Sequence, residues 1–214
     1  QNISQLGFNP HYKWATLHAG DFTQNYSSYT LQGTRVRGGG FDLRPRNLRF
    51  SLQMGESQRT VAAGAGGLAY KRNLLAGLVG LGREGGSFVD VMVVRSKDDV
   101  SSLSAALADT TLLDTIPIAL RPRIENRPQE NLVIGTQGQL SLLKRRFLIK
   151  GEVAGALITR DLASPSANAG STSGGGVLND LIPLRLSTSG DYAYHVEGEA
   201  NLGRGSLRGG YEYV

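Results

Sequence analysis

Residues 191–214 read DYAYHVEGEANLGRGSLRGGYEYV, and this stretch decides the fold. Before a short Gly-Arg-Gly sequence at 203–205, apolar or small residues take one parity of the chain, while the other parity carries His195, Glu197 and Glu199. After it the alternation resumes, with leucine and tyrosine on one side and arginine and glutamate on the other. Period-two alternation on both sides of a glycine turn predicts a β-hairpin with one apolar and one polar face.

The composition argues against a densely packed sandwich. The 214 residues fit one all-β domain, so we treat 1–214 as a single unit. Aromatic residues make up only 7%, whereas glycine supplies 29 residues, and a large core would lack side chains to fill it. The chain has no cysteine, which excludes a disulfide framework and a thiolate metal site. It opens at Gln1 in mid-pattern without a recognisable signal peptide, so we expect a mature form or a fragment.

The net charge of +5 is spread along the chain rather than concentrated. Basic residues stand singly, often beside carboxylates, and the only run is KRR at 144–146. A solvated or lumen-facing surface explains this pattern better than nucleic-acid binding. A spanning helix needs about 18 or more apolar residues in a row, which the sequence lacks, but a spanning β-strand needs only about ten with every second one apolar.

The alternation predicts about nine strands in an antiparallel up-and-down meander. They are unusually long: globular strands average about 5–6 residues, whereas tilted membrane-spanning strands need about 9–11. The predicted strands are 14–22, 30–43, 48–58, 69–82, 87–96, 131–142, 147–160, 191–202 and 206–214.

Every second connection between these strands is short. The long ones include 97–130, in which a short helix fits 98–114, and 161–190, which is rich in serine and glycine. In a meander, alternate connections lie on the same rim of the sheet. One rim therefore has only short turns, and the other carries the long loops. Bacterial outer-membrane barrels have this asymmetry.

Two long runs carry a resemblance to a known family. WATLHAGDFTQNYSSYTLQGTRVRGGGFDLRPRNLRFSLQMGESQRTV at 14–61 and RPQENLVIGTQGQLSLLKRRFLIKGEVAGALITRDLAS at 127–164 resemble porin-like outer-membrane β-barrel proteins of the Bacteroidetes type. The likeness implies an outer-membrane location and a closed barrel with an even number of strands. Nine is odd, and an open sheet exposes two unpaired edges that lipid does not tolerate. We therefore expect a strand missed in the count or an incomplete chain.

The polar parity of the clearest strands would face a water-filled lumen. In 69–82 and 87–96 apolar residues occupy both parities, which indicates that a plug or a second core touches the inner face there. The predicted lumen-lining residues are Arg49, Lys150, Glu152, His195, Glu197, Glu199, Arg208 and Glu212.

Two arginines conflict with this alternation. Arg35 and Arg37 share the parity of Phe41, and an arginine facing lipid at the bilayer midplane costs about 2–4 kcal/mol. Either a bulge at 38–40 switches the face, or both side chains lie above the membrane.

No catalytic, cofactor or metal site is predicted. His18 and Asp21 are more simply a polar pair on the inner face than a hydrolase dyad, and the three histidines lack metal-ligand spacing. The glycine clusters lack the order of phosphate-binding loops.

The sequence therefore predicts a passive outer-membrane pore or an anchor for surface loops, and no enzyme. Its expected partners are outer-membrane lipid, small hydrophilic solutes or ions and the remaining strands of the full-length barrel, with no nucleic acid. One alternative is a soluble β-sandwich or barrel that binds a partner, and a second is a membrane-embedded hydrolase.

Overall fold

The protein is one large antiparallel sheet. The computed structural model describes residues 6–61, 69–83, 85–102, 127–143, 145–167, 182–202 and 205–214. All nine predicted long strands are present, with two short ones before them. The strands are β1 Gly7–Phe8, β2 His11–Tyr12, β3 Ala15–Gln24, β4 Thr34–Leu43, β5 Leu48–Gln58, β6 Lys71–Gly82, β7 Phe88–Asp99, β8 Glu130–Leu142, β9 Phe147–Thr159, β10 Thr188–Asn201 and β11 Ser206–Tyr213.

The predicted all-β, up-and-down topology is confirmed. Each strand from β3 to β11 pairs antiparallel with its neighbours in chain order. The connections 44–47, 83–87, 143–146 and 202–205 share one rim, the short-turn rim, while the longer connections lie on the opposite, long-loop rim. Among the described strands no pairing joins β11 back to β1 or β3, so the sheet is not closed into a barrel.

The two edges of the sheet run in opposite directions. Both β1 and β2 pair antiparallel with β3, so together they occupy a tenth strand position, interrupted at Pro10. This position was missed in the sequence because proline breaks the alternation. Strand direction alternates at every step from the β1–β2 position to β11. The two edge strands are therefore antiparallel to each other.

One face of the sheet, the outer face, is apolar and exposed. Tyr194, Val196, Phe147, Ile149 and Val153 are all exposed on it, as expected. Phe50 and Leu52 lie on the same face and are half-buried. On β9 the outward apolar positions run from Phe147 to Leu157, about 34 Å of strand at about 3.4 Å per residue.

The opposite, inner face carries the buried core. The connection between β3 and β4, residues 25–33, which we call the inner segment, folds onto it instead of extending from the rim. The prediction that β4 begins at 30 was therefore wrong, because this stretch packs as a loop before Thr34. The buried apolar cluster is formed by Phe22, Tyr26, Leu31, Val36, Leu74, Ala76, Leu78, Met92, Val94, Val133 and Ala154. The inner segment therefore accounts for the apolar inner parity of β6 and β7, where a plug or a second core was predicted.

The long connections are described only in part. The helix predicted at 98–114 does not begin at 98, because Asp98 and Asp99 belong to β7; a 3₁₀ turn, Val100–Ser102, follows, and 103–114 lies outside the described residues. Within the described ranges, the chain has no helix with the length and apolar character required to cross a membrane.

Candidate functional site

A single line of cross-strand partners runs over the inner face from β5 to β11. Strand register brings its members side by side, although they are far apart in sequence. We call this line the polar row. It consists of Arg49, Gly80, Asp90, Gln137, Glu152, His195 and Glu212, each the direct partner of the next.

The β5–β8 end of the polar row is a buried ion-pair network. Arg49 Nε lies 3.1 Å from Asp90 Oδ1, and Gln137 Nε2 donates to Asp90 Oδ2 at 3.0 Å. The Asp90 side chain is fully buried, so its charge depends on these partners. A Cβ at Gly80 would stand 1.9 Å from Asp90 Oδ1, so glycine leaves the room that the pair occupies. The Arg49 guanidinium also stacks over the Phe88 ring, 4.4 Å from its centroid.

The inner segment is hydrogen-bonded directly to the polar row. Gln137 Nε2 donates to the carbonyl of Tyr26 at 3.2 Å, and the amide of Tyr29 donates to Glu152 Oε1 at 2.8 Å. The Tyr29 hydroxyl donates to the Glu212 carboxylate, which raises the pKa of Tyr29 to about 12. These contacts fix the segment to β8, β9 and β11, so it bridges much of the sheet.

The apolar side of the inner segment is packed into the core. Burial raises the pKa of the Tyr26 hydroxyl to about 12, and this hydroxyl bonds Ser51 Oγ at 2.8 Å and donates to the Ala76 carbonyl at 3.3 Å. A Cβ at Gly135 would lie 2.4 Å from Thr30 Cγ2. Glycine at this position therefore makes room for the segment.

A second charged group lies below the polar row, toward the short-turn rim. Lys150 Nζ is 3.8 Å from Glu197 Oε1, and Arg208 donates to the other oxygen of Glu197. Glu199 faces Arg208 directly across the β10–β11 ladder. Two cations therefore flank the Glu197 carboxylate on an accessible part of the inner face.

Tyr29 lines two open cavities. One, of about 400 Å³, is lined by polar groups that include His195, Glu197 and Glu212. The other, of about 550 Å³, has a more apolar lining that includes Val133 and Ala154. The aromatic ring of Tyr29 makes an edge contact with the His195 ring, with centroids 5.6 Å apart.

The expected inner-face pair of His18 and Asp21 is wrong. His18 lies on the inner face, where Nε2 is 2.9 Å from Asp42 Oδ2 and Nδ1 is 2.8 Å from Asn9 Oδ1. Asp21 lies on the outer face, 3.4 Å from Arg35. Residues three apart in a strand point to opposite faces, which explains the separation. In the part of the chain that the structure describes, no group of three or more His, Cys, Asp or Glu could hold a metal ion.

Strand register brings all eight predicted lumen-lining residues to the inner face. Four of them, Arg49, Glu152, His195 and Glu212, belong to the polar row, and the other four, Lys150, Glu197, Glu199 and Arg208, form the second charged group.

Sequence reasoning missed three residues that complete this arrangement: Asp90, Gln137 and Tyr29. A signal for Asp90 was present, since it is the one charged residue in the apolar run from Phe88 to Val94 and has the same parity as Met92 and Val94. A charge in that position requires a buried partner.

Comparisons with known proteins add no identification. No protein-family model matches the chain, and searches of curated proteins and of solved structures find no match.

Proposed function

We propose that this sheet forms part of the wall of an outer-membrane β-barrel. Its apolar outer face contacts lipid, and its polar inner face lines a hydrated passage for passive diffusion. The inner segment narrows this passage. No bond is made or broken; small hydrophilic solutes or ions diffuse past the charged side chains. The resemblance to porin-like outer-membrane proteins of the Bacteroidetes type agrees with this role.

The observation that carries the proposal is that one face of the sheet is apolar and exposed, whereas the other face is polar. The outer face exposes large apolar side chains on nearly every strand, far more than a water-soluble monomer usually leaves uncovered. No second sheet covers that face among the described strands. With a tilt of about 40°, the apolar positions of β9 span about 26 Å of height, which matches the apolar band of about 25 Å in outer-membrane barrels.

The position of the outward arginines supports the same placement. The register between β3 and β4 is unbroken from Ala15 opposite Leu43 to Gln24 opposite Thr34, so no bulge switches the face of Arg35 and Arg37. Both side chains instead lie toward the long-loop rim, beyond Phe41. In the proposed membrane placement, both guanidinium groups lie at the level of the lipid headgroups, where water solvates them.

Lipid also requires that both edges of the sheet be covered. The β1–β2 position and β11 are antiparallel to each other. A barrel can therefore be closed by pairing them directly or by inserting an even number of further antiparallel strands between them. We therefore expect any strands that complete the wall to come in pairs.

A plugged anchor for surface loops is the second candidate. The inner face from β5 to β8 is filled by the buried cluster and the inner segment, and small barrels are commonly packed with side chains. An anchor would keep the same membrane placement but conduct no ions.

Two measurements test these functions: quenching on the reconstituted protein, and conductance on the barrel closed at both sheet edges, because a sheet with two open edges encloses no lumen. Lipid-phase quenching of single tryptophans, introduced in a Trp14→Phe background, should be strong for Ile149→Trp on the outer face and weak for Ala154→Trp on the inner face. Equal quenching at both positions would refute the membrane placement. Conductance across planar bilayers then distinguishes pore from anchor, because only a pore gives steady single-channel currents.

A further inference from the structure

The apolar part of the outer face ends at a row of charged residues near the long-loop rim. Cross-strand register aligns Asp21 with Arg37 and Glu56, and further along the same line Lys97 with Glu130. The neighbouring line toward the short-turn rim contains Gly39, Met54 and Leu75. That line also contains Arg95, the β7 partner of Leu75, so the boundary is sharp on β4 and β5, where charge begins at Arg37 and Glu56.

At the β4–β5 end of this charged row, three guanidinium groups line one cavity of about 170 Å³. They belong to Arg35, Arg37 and Arg59, and the carboxylates of Asp21 and Glu56 also line it. We call this cavity the arginine pocket. It is small, and all of its lining residues are charged or polar, which suits a compact ionic group rather than a drug-sized organic ligand.

The cations of the arginine pocket are only partly neutralised. Arg35 Nη2 lies 3.4 Å from Asp21 Oδ1, and Glu56 Oε1 is shared with Lys71 at 3.5 Å. Within the described ranges, the side chains of Arg37 and Arg59 have no ion-pair or hydrogen-bond partner, and both are exposed. Two guanidinium forks are therefore free to bind an anion from outside.

We propose that the arginine pocket binds a phosphate group on the headgroup of a phosphorylated glycolipid in the outer leaflet. The inference rests on the proposed membrane placement, which puts the pocket directly above the apolar belt at headgroup level. Guanidinium groups bind phosphate through paired N–H donors, and charge-assisted bonds of this kind are strong. A lipid phosphate reaches the pocket while its acyl chains lie along the apolar outer face below it.

The test compares glycolipid binding by the full chain and two variants in detergent micelles and in phosphatidylethanolamine vesicles. The site variant is Arg35→Gln/Arg37→Gln/Arg59→Gln. The control variant, Arg46→Gln/Arg83→Gln/Arg146→Gln, removes the same charge from exposed residues at the short-turn rim. The probes are lipid A, the same lipid with its phosphates removed, and inorganic phosphate.

We expect the site variant to bind lipid A at least about tenfold more weakly than the unmodified chain, while the control variant changes little. Removing the lipid phosphates should abolish the difference between the proteins. Equal losses in both variants, or equal binding of dephosphorylated lipid, would overturn the proposal. Saturation by inorganic phosphate as strong as that by lipid A would reassign the pocket to a free anion and also overturn it.

The tryptophan quenching described above separates this inference from the proposed function. Strong quenching of Ile149→Trp with unchanged lipid A affinity in the site variant would refute the arginine pocket alone. Weak quenching of Ile149→Trp would refute the membrane placement, and the glycolipid proposal with it.

Discussion

The main-chain amide of Tyr29 lies 2.8 Å from Glu152 Oε1 and joins residues 123 positions apart in the chain. Tyr29 also donates through its hydroxyl to Glu212, so one residue connects the inner segment to two strands of the polar row. The same carboxylate of Glu152 is 3.9 Å from His195. Glu152 therefore serves as a structural acceptor for the segment as well as a charge on the inner face.

Filling the space at Gly135 should displace the inner segment. In Gly135→Val the added side chain overlaps Thr30, whose γ-carbon would be 2.4 Å from the new Cβ. We expect faster amide hydrogen exchange at Tyr29 and, if the protein is a pore, a larger conductance, because the segment withdraws from the polar row. Exchange measured by NMR and bilayer recordings check the two effects separately.

Gly155→Val provides the matched control for this change. Gly155 is on the neighbouring strand but on the outer face, and a Cβ there meets only the Asp191 carbonyl, at 4.0 Å. Its amide exchange and conductance should stay close to those of the unmodified chain. If Gly135→Val leaves the exchange rate of Tyr29 unchanged, the segment does not depend on the space at Gly135.

Alkaline pH should release the inner segment. Burial raises the pKa of Tyr26 to about 12 from its ordinary 10.0, so the neutral hydroxyl is favoured when the segment is docked. The resulting stabilisation is complete below about pH 10 and is lost as the pH rises through about 12. Tyrosinate absorbance should develop together with exposure of the segment to protease.

Tyr26→Phe distinguishes this titration from general alkaline unfolding. The variant loses the hydrogen bonds to Ser51 and the Ala76 carbonyl, but it has no proton to release. Its segment should become protease-sensitive at a higher pH than that of the unmodified chain, unless Tyr29, whose pKa is also about 12, controls release. Tyr29→Phe and the double variant assign the transition to one hydroxyl or both.

The strands were predictable because charge marks the polar parity. Arg49 on β5 and Glu152 on β9 alternate with apolar residues, and a sheet with one polar and one apolar face requires this pattern. The polar row was not predictable, since its members are aligned by inter-strand register, which the alternation within a single strand does not specify. Likewise Thr30 and Leu31 were predicted to begin a strand, and only the core of β6 and β7 shows where this loop packs.

Breaking the buried pair of Asp90 and Arg49 should strongly destabilise the sheet. Asp90→Ala leaves the Arg49 side chain, 13% exposed, without its 3.1 Å partner, and such uncompensated buried charges cost about 3–5 kcal/mol. We expect a correspondingly lower free energy of unfolding in urea. The double variant Asp90→Leu/Arg49→Met removes both charges, so it should recover most of the loss. Equal stability of Asp90→Ala and the unmodified chain would mean that water already solvates the pair.

Charge removal on β10 tests whether the inner face borders an ion path. In Glu197→Gln/Glu199→Gln, Lys150 loses its 3.8 Å ion pair and Arg208 loses both its bonded and its facing carboxylate. The local balance of two cations and two carboxylates becomes two cations alone, and screening is incomplete in a confined path. The reversal potential under a salt gradient should therefore shift toward anion selectivity, with folding preserved because these groups face water.

The matched variant for this test is Lys150→Gln/Arg208→Gln, which removes the two cations from the same place and should shift the reversal potential toward cations. Opposite shifts would show that the group around Glu197 lies along the conducting path. Unchanged reversal potentials with normal conductance would place it off that path. If the closed barrel inserts in bilayers but neither it nor its Gly135→Val variant conducts, the pore is excluded and the anchor for surface loops remains, because the variant displaces the inner segment that is hydrogen-bonded across the inner face.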